Sequence, residues 1–163
     1  MLTKDEAIAG LQASHRDFMS RLDAVSSQDA AWITHLPTGT WRVRDVAAHV
    51  AAWDAILAAD IGALPQGRVP AWLTWDDATT DEANESQVRE RASLSVEQLR
   101  DELVAGRAAL VEAVAALDAA EFGRTHRAGD AETSAAGLCE YWIGHDREHT
   151  AELSAVAQAS GPA

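Results

Sequence analysis

Apolar residues recur every three to four positions along four long stretches of the chain, the spacing that lines one face of an α-helix. In the first stretch Ile8, Leu11, Phe18, Leu22 and Val25 share a face behind the capping box Thr3-Lys4-Asp5-Glu6, which predicts a helix over residues 4 to 25. The second carries the stripe Val43, Val46, Val50, Trp53 and Leu57; it opens after Thr40 and runs to Ala63, where the Gly and Pro punctuation of GALPQGRVP stops it. A second capping box, Ser95-Val96-Glu97-Gln98, starts the third, whose seam of Val96, Leu99, Leu103, Leu110, Val114 and Leu117 predicts a helix over 96 to 117. The fourth follows Ala135, Leu138, Trp142, Leu153 and Val156.

The connections read differently. Residues 26 to 40, with Pro37 and Gly39, form a loop whose Trp32 and His35 pack over the bundle end. Residues 62 to 78 hold two prolines, two glycines, Trp72 and Trp75, a composition suited to a crossover or lid whose tryptophans either anchor it to the core or wall a ligand pocket. The charged run from Asp76 to Arg91 predicts a short helix over Thr80 to Ala92, a solvated face that includes Asn84 and Glu85. Asp118 and Glu121 cap a short turn ending near Gly123, and RTHRAGDAETS is a polar connection. No stretch alternates as a strand does, and dinucleotide and P-loop glycine signatures are absent, so the expected fold is an all-α bundle of four main helices with short extra helices in the connections, one domain over 1–163.

Composition narrows the function classes. A chain of 163 residues buries about two thirds of its unfolded surface without needing a disulfide or a structural metal. With 13 basic against 26 acidic residues the net charge is −13, which repels nucleic acid and anionic membrane; no local basic patch offsets it. No segment approaches about 18 uninterrupted apolar residues, and the start MLTKDEAIAG lacks the basic and apolar regions of a signal peptide, so the expectation is a cytoplasmic protein with a small-molecule partner. The single cysteine, Cys139, reads as a small core hydrophobe rather than a catalytic thiol.

Chemistry concentrates in the fourth helix. His145-Asp146-Arg147-Glu148-His149 places two imidazoles four residues apart on one helical face, within the apolar seam, where they can aim at one point. By itself the spacing leaves open two hydrogen-bonded core or surface histidines. It is not the zinc-protease motif, because Asp146 stands where that motif requires glutamate. A third histidine, His49, falls about 60° from Val46 and about 40° from Trp53 at ~100° per residue, inside the apolar arc of the second helix. His49, His145 and His149 together are a candidate three-imidazole site for a divalent metal, Zn²⁺, Ni²⁺ or Fe²⁺, with a position open for water or substrate. Glu148, roughly 60° round the helix from His145, is the candidate to orient a ligand or shuttle a proton, against the plainer reading of a solvated carboxylate. His15, in the first seam, either approaches the site or is a core histidine with a local hydrogen bond; Asp45 caps the second helix and Asp54 is expected at the surface.

The segment WRVRDVAAHVAAW (Trp41 to Trp53) resembles the second-helix signature of the DinB-like superfamily, and YWIGHDREH (Tyr141 to His149) its terminal helix; PAWLTWDDATTDEANE is similar to the subgroup that contains the DfsB and ClbS proteins. The resemblance covers nearly the whole chain. It implies an antiparallel four-helix bundle holding a divalent metal, zinc or nickel, through His49, His145 and His149, and members that are often homodimers. The superfamily includes mycothiol-dependent maleylpyruvate isomerase and bacillithiol transferases, so it also implies a thiol-dependent transferase or isomerase with a low-molecular-weight thiol as co-substrate. A hydrolase of the same fold, or a non-enzymatic metal- or metabolite-binding stress protein, is the alternative.

Overall fold

The computed structural model describes residues 2–25, 32–34, 36 and 39–159; His35 and Pro37 lie outside the described residues. Four long helices form the bundle: α1 (Lys4–Val25), α2 (Val43–Ala63), α4 (Val96–Ala116) and α6 (Ala135–Ala159). Between α2 and α4 come two 3-10 turns, Leu64–Gln66 and Ala71–Thr74, and the helix α3 (Asp77–Glu90); α4 is followed by the short α5 (Ala119–Gly123). The predicted caps are present. Glu6 N donates to Thr3 Oγ1 while Glu6 accepts from Thr3 N, Ser95 and Gln98 exchange the same reciprocal pair, and Asp45 accepts from Arg42 N at the start of α2.

The connection into α6 departs from the expected loop. His126–Ala128 (β1) pairs antiparallel with Ala131–Thr133 (β2), joined by Gly129 and Asp130. Gly129 takes φ 60°, a backbone region open to glycine, and starts the two-residue turn. Three-residue strands of mixed burial are too short to print an alternating pattern, so the Gly-Asp pair is the sole signal the sequence offers.

The helices pack mainly as two pairs, α2 on α4 and α1 on α6, with α1 also against α4. Gly106 lets α4 come close to α2, since a Cβ there would stand 3.0 Å from the Asp54 Cβ. α2 together with its 3-10 extension is long and apolar enough to cross a membrane by length and composition, at mean hydropathy 1.3, yet 61% of that window is buried inside the bundle, where the helix serves as the central core element.

The apolar core is divided. One cluster gathers Leu11, Trp53, Leu57, Leu110, Leu138 and Trp142; the other gathers Phe18, Leu22, Val46, Val50, Leu103 and Leu153, and takes in Trp32 as the sequence predicts. Between them along each helix lies a layer of buried polar residues: Ser14 and His15 on α1, His49 and Asp54 on α2, Arg107 on α4 and Asp146 on α6. Asp54 is therefore not a surface residue; its relative exposure is 0%. It recurs with Val50, Leu57 and Ile61 at helical spacing, which places its carboxylate in the seam.

A candidate metal centre beside a buried ion layer

At the middle of the bundle Arg107 joins all four long helices. Its Nε and Nη2 donate to Asp54 at 3.0 and 2.9 Å, its Nη1 and Nη2 to Asp146 at 2.8 Å each, and its Nη1 also to the carbonyl of Leu11 at 2.9 Å. Ser14 Oγ donates to the same Asp146, and Trp142 Nε1 donates to Asp54 at 2.7 Å. Burial pushes the Asp54 carboxyl up to about 6, against the pull of Arg107. Burial lowers the Arg107 guanidinium as well, but the two carboxylates outweigh it and hold its pKa above the ordinary value.

One helical position away, on α6, the histidines converge. His145 Nε2 lies 3.0 Å from His49 Nε2 and 3.1 Å from His149 Nε2, and the three ligand-competent atoms fall within 4.8 Å of one another. Nitrogens bound to one tetrahedral metal at ~2.0–2.1 Å stand roughly 3.3 Å apart, close to the two separations that His145 makes. His149 is oriented from behind, its Nδ1 at 2.7 Å from a carboxylate oxygen of Glu152, which fixes the proton on Nδ1 and leaves the Nε2 lone pair facing its neighbours. Trp142 stacks on His145 at 4.5 Å between centroids, and Trp41 leans on His49 at 4.9 Å.

Protonation favours ligation. Burial, reinforced by His149 and His145, takes His49 down to about 2; burial, with His149 and Arg107, takes His145 down to about 3. Both are neutral imidazoles at pH 7, the form that binds metal. The Nδ1 atoms of His49 and His145 are buried with no hydrogen-bond partner, and three facing Nε2 atoms cannot all be satisfied by each other whatever tautomers are chosen. A cation accepting all three lone pairs resolves that conflict, so the residues present fit a divalent metal.

The cluster opens into a pocket of about 300 Å³. Trp41, Trp53, Trp72, Tyr141 and Trp142 form most of its wall; Thr80, Asn84 and Glu148 complete it. Glu148 is thus an exposed carboxylate at the pocket of the cluster. Of the two loop tryptophans, Trp72 walls the pocket while Trp75 is turned to solvent, 37% exposed. His15 is buried in the ion layer, apart from the cluster, and neither ring nitrogen has a hydrogen-bond partner, so the local bond expected for it is not formed. Cys139 is fully buried, and burial pushes its thiol up to about 12, as a core residue requires.

Several functional neighbours escaped the sequence reading. Glu152 sits three residues past His149, a spacing that puts it on the same face and could have been used. Asn84, assigned to a solvated face, instead accepts from Trp53 Nε1 at 2.8 Å and lines the pocket; nothing in a charged, poorly periodic stretch marks it.

A sequence profile described as DinB superfamily matches residues 3–153. The fold is similar to the crystal structure of an uncharacterised protein from Escherichia coli UTI89, at 17% sequence identity and a TM-score of 0.75 over 98% of this chain and 95% of that one. No curated protein matches the chain. With the profile spanning nearly every residue from α1 to the metal-competent face of α6, the chain belongs to the DinB superfamily.

Proposed function

We propose that His49, His145 and His149 hold one divalent metal ion, zinc or nickel, and that the protein is a metal-dependent enzyme acting on a small molecule, in its most concrete form a thiol-dependent transferase or isomerase. The observation that carries the reading is the convergence of three imidazoles, through Nε2, at the wall of an open pocket. When bound, such an ion lowers the pKa of a coordinated thiol or water and so makes a nucleophile available at neutral pH. The thiol version draws on the family resemblance, with mycothiol or a similar low-molecular-weight thiol as co-substrate.

The chain's own groups have separable tasks. Glu152 keeps the His149 ring in its ligating tautomer. Tryptophan side chains line the pocket beside the cluster and give it a largely apolar surround, which strengthens electrostatic interactions there. Glu148, at the pocket and exposed, is positioned to take a proton from an incoming thiol or water and pass it to solvent.

Metal content by plasma mass spectrometry, on tag-free protein, tests the reading with wild type and His49→Ala side by side. About one divalent ion per chain in wild type, lost in the variant while helical circular dichroism persists, is the expected result. No metal in wild type even after Zn²⁺ or Ni²⁺ is offered overturns it. Turnover of an electrophile that needs both metal and added thiol then assigns the transferase or isomerase form, hydrolysis without thiol assigns the hydrolase form, and tight retention without turnover assigns a binding protein.

A further inference from the structure

The four tryptophans around the histidine cluster are each tied by the indole N–H. Trp41 donates to Glu85 at 2.7 Å, Trp53 to Asn84 at 2.8 Å, Trp72 to Asp60 at 2.8 Å and Trp142 to Asp54 at 2.7 Å. The rings are also set against one another: Trp53 meets Trp72 edge to face, at 86° and 5.5 Å between centroids, and Trp142 at 53° and 5.9 Å. Their one polar hydrogen is taken, so carbon surface is what these rings have to give a ligand. Four separate anchors, on α2 and α3, hold a rigid aromatic wall where a core packed at random would leave indoles free to rotate.

Charge narrows what this wall receives. Among the described residues no Lys or Arg lines the pocket, and its single ionisable carboxylate is Glu148, in a chain of net charge −13. A ligand carboxylate entering beside the rings finds no Lys or Arg to meet it and gains only where a bound ion can coordinate it. A cationic ligand would gain from the aromatic faces, but a divalent ion held by three uncharged imidazoles would repel it at short range. The ring portion of the ligand is therefore uncharged, and an anionic group on it has a place only at the ion.

Asn84 adds a polar anchor. Its Oδ1 is held by Trp53 Nε1, which orients the amide, and no protein acceptor takes its Nδ2 hydrogens among the described residues. Those donors, on a half-buried residue of the pocket wall, suit a carbonyl or similar acceptor on the ligand. A volume of about 300 Å³ is enough for a ring system with its substituents.

We infer that the tryptophan-lined pocket beside the histidine cluster binds a flat aromatic or conjugated compound whose ring portion is uncharged and bears a carbonyl-type acceptor directed to Asn84. This deepens the proposed function by assigning the class of its small-molecule substrate, and it rests on that reading for the exclusion of cations alone.

Benzamide, benzoate and benzamidinium share one ring and differ in charge, and the indole Nε1–H signals of ¹⁵N-labelled full-length protein report which of them enters. The titrations are run on metal-free protein, where benzoate cannot gain by coordinating an ion, and again on zinc-loaded protein. Benzamide is expected to shift the Trp53 and Trp72 signals saturably in both forms, and benzoate to bind the metal-free form about tenfold more weakly. Trp72→Leu, on a half-buried 3-10 turn outside the bundle core, is expected to weaken benzamide about tenfold. Asn84→Asp keeps the acceptor for Trp53 but removes the donors, and is expected to weaken benzamide about fivefold or more. Benzoate binding as tightly as benzamide to metal-free protein, benzamidinium binding more tightly than benzamide to the zinc-loaded form, or benzamide affinity unchanged in Trp72→Leu and Asn84→Asp overturns the inference. Zinc uptake without benzamide binding would sink the inference and leave the metal site standing; benzamide binding without zinc uptake would do the reverse.

Discussion

Arg107 and the histidine cluster are neighbours built from adjacent residues of α6, Asp146 and His145, and they treat buried polarity in opposite ways. All five N–H donors of Arg107 meet an acceptor, and the two carboxylates that face it receive further bonds from Trp142 and Ser14. In the cluster, three Nε2 atoms face each other, and no choice of tautomers satisfies them all. A layer that is complete with protein groups alone is structure: it sets the register of four helices. A cluster that remains incomplete calls for something the chain does not contain. The two are coupled, since Trp142 donates to Asp54 and stacks on His145, so the ion layer also holds one ligand ring in place.

The largest expected effect breaks the complete side. Arg107→Met leaves Asp54 and Asp146 buried without their cation, and removal of one member of a buried ion group costs about 3–5 kcal/mol. Guanidinium-chloride unfolding should show that loss at neutral pH. Replacing Asp54, Arg107 and Asp146 together with apolar residues of similar size should recover most of it, because the desolvation cost leaves with the charges. If Arg107→Met unfolds at the wild-type midpoint, the layer does not have the structural role assigned to it.

His15 sharpens the comparison from between the two regions. It is buried like a cluster histidine and lacks hydrogen bonds like one, yet it belongs to the ion layer and converges with no other imidazole. Burial, with Arg107 nearby, lowers its pKa to about 4. The unfolded chain takes up that proton near pH 6.5 and the folded chain does not, so the unfolded state binds more protons between those values and stability falls as pH falls through the window. At pH 5 the difference amounts to about 2 kcal/mol for this residue. His15→Leu should therefore lose about 2 kcal/mol less than wild type between pH 7.5 and pH 5 in urea unfolding, and should leave zinc uptake unchanged. An identical acid response in the two proteins would show that His15 titrates normally in the fold.

How much of this was readable beforehand follows from the same contrast. Helix starts are set by local chemistry, the Thr3 and Ser95 capping boxes, and seams by period, so the four long helices and the convergence of His49, His145 and His149 follow directly. The ion layer lies in the same period: Arg107, between Leu103 and Leu110, and Asp146, between Trp142 and Leu153, are charged residues at seam positions. Treating Asp54 as exposed because it is charged let residue type override spacing, and spacing decided the outcome. Asn84 and the β1–β2 hairpin were beyond reach for a different reason. Each depends on contacts across the chain, Asn84 on Trp53 of α2 and the hairpin on a three-residue register, which leave no periodic trace.

The smallest effect sharpens the incomplete side. Glu152 is half-buried and bonds to the cluster through His149 Nδ1, so its influence on a bound ion passes through the tautomer and aim of that ring. Glu152→Ala removes the acceptor behind Nδ1. The ring is then free to turn and to place its proton on Nε2, and zinc affinity should fall about tenfold, or ~1.4 kcal/mol, at the low end of the effect such outer carboxylates exert. Glu152→Gln keeps an oxygen to accept from Nδ1–H but no charge, and should fall between the two. Competition with a chromophoric chelator gives the three affinities, and ¹⁵N shifts of the His149 ring in the metal-free proteins read the tautomer independently. A weakened site with an unchanged tautomer would mean that Glu152 acts by charge alone. An unchanged affinity in both variants would mean that His149 is held by its helix and its neighbouring rings, and that the incompleteness of the cluster is confined to the three Nε2 atoms themselves.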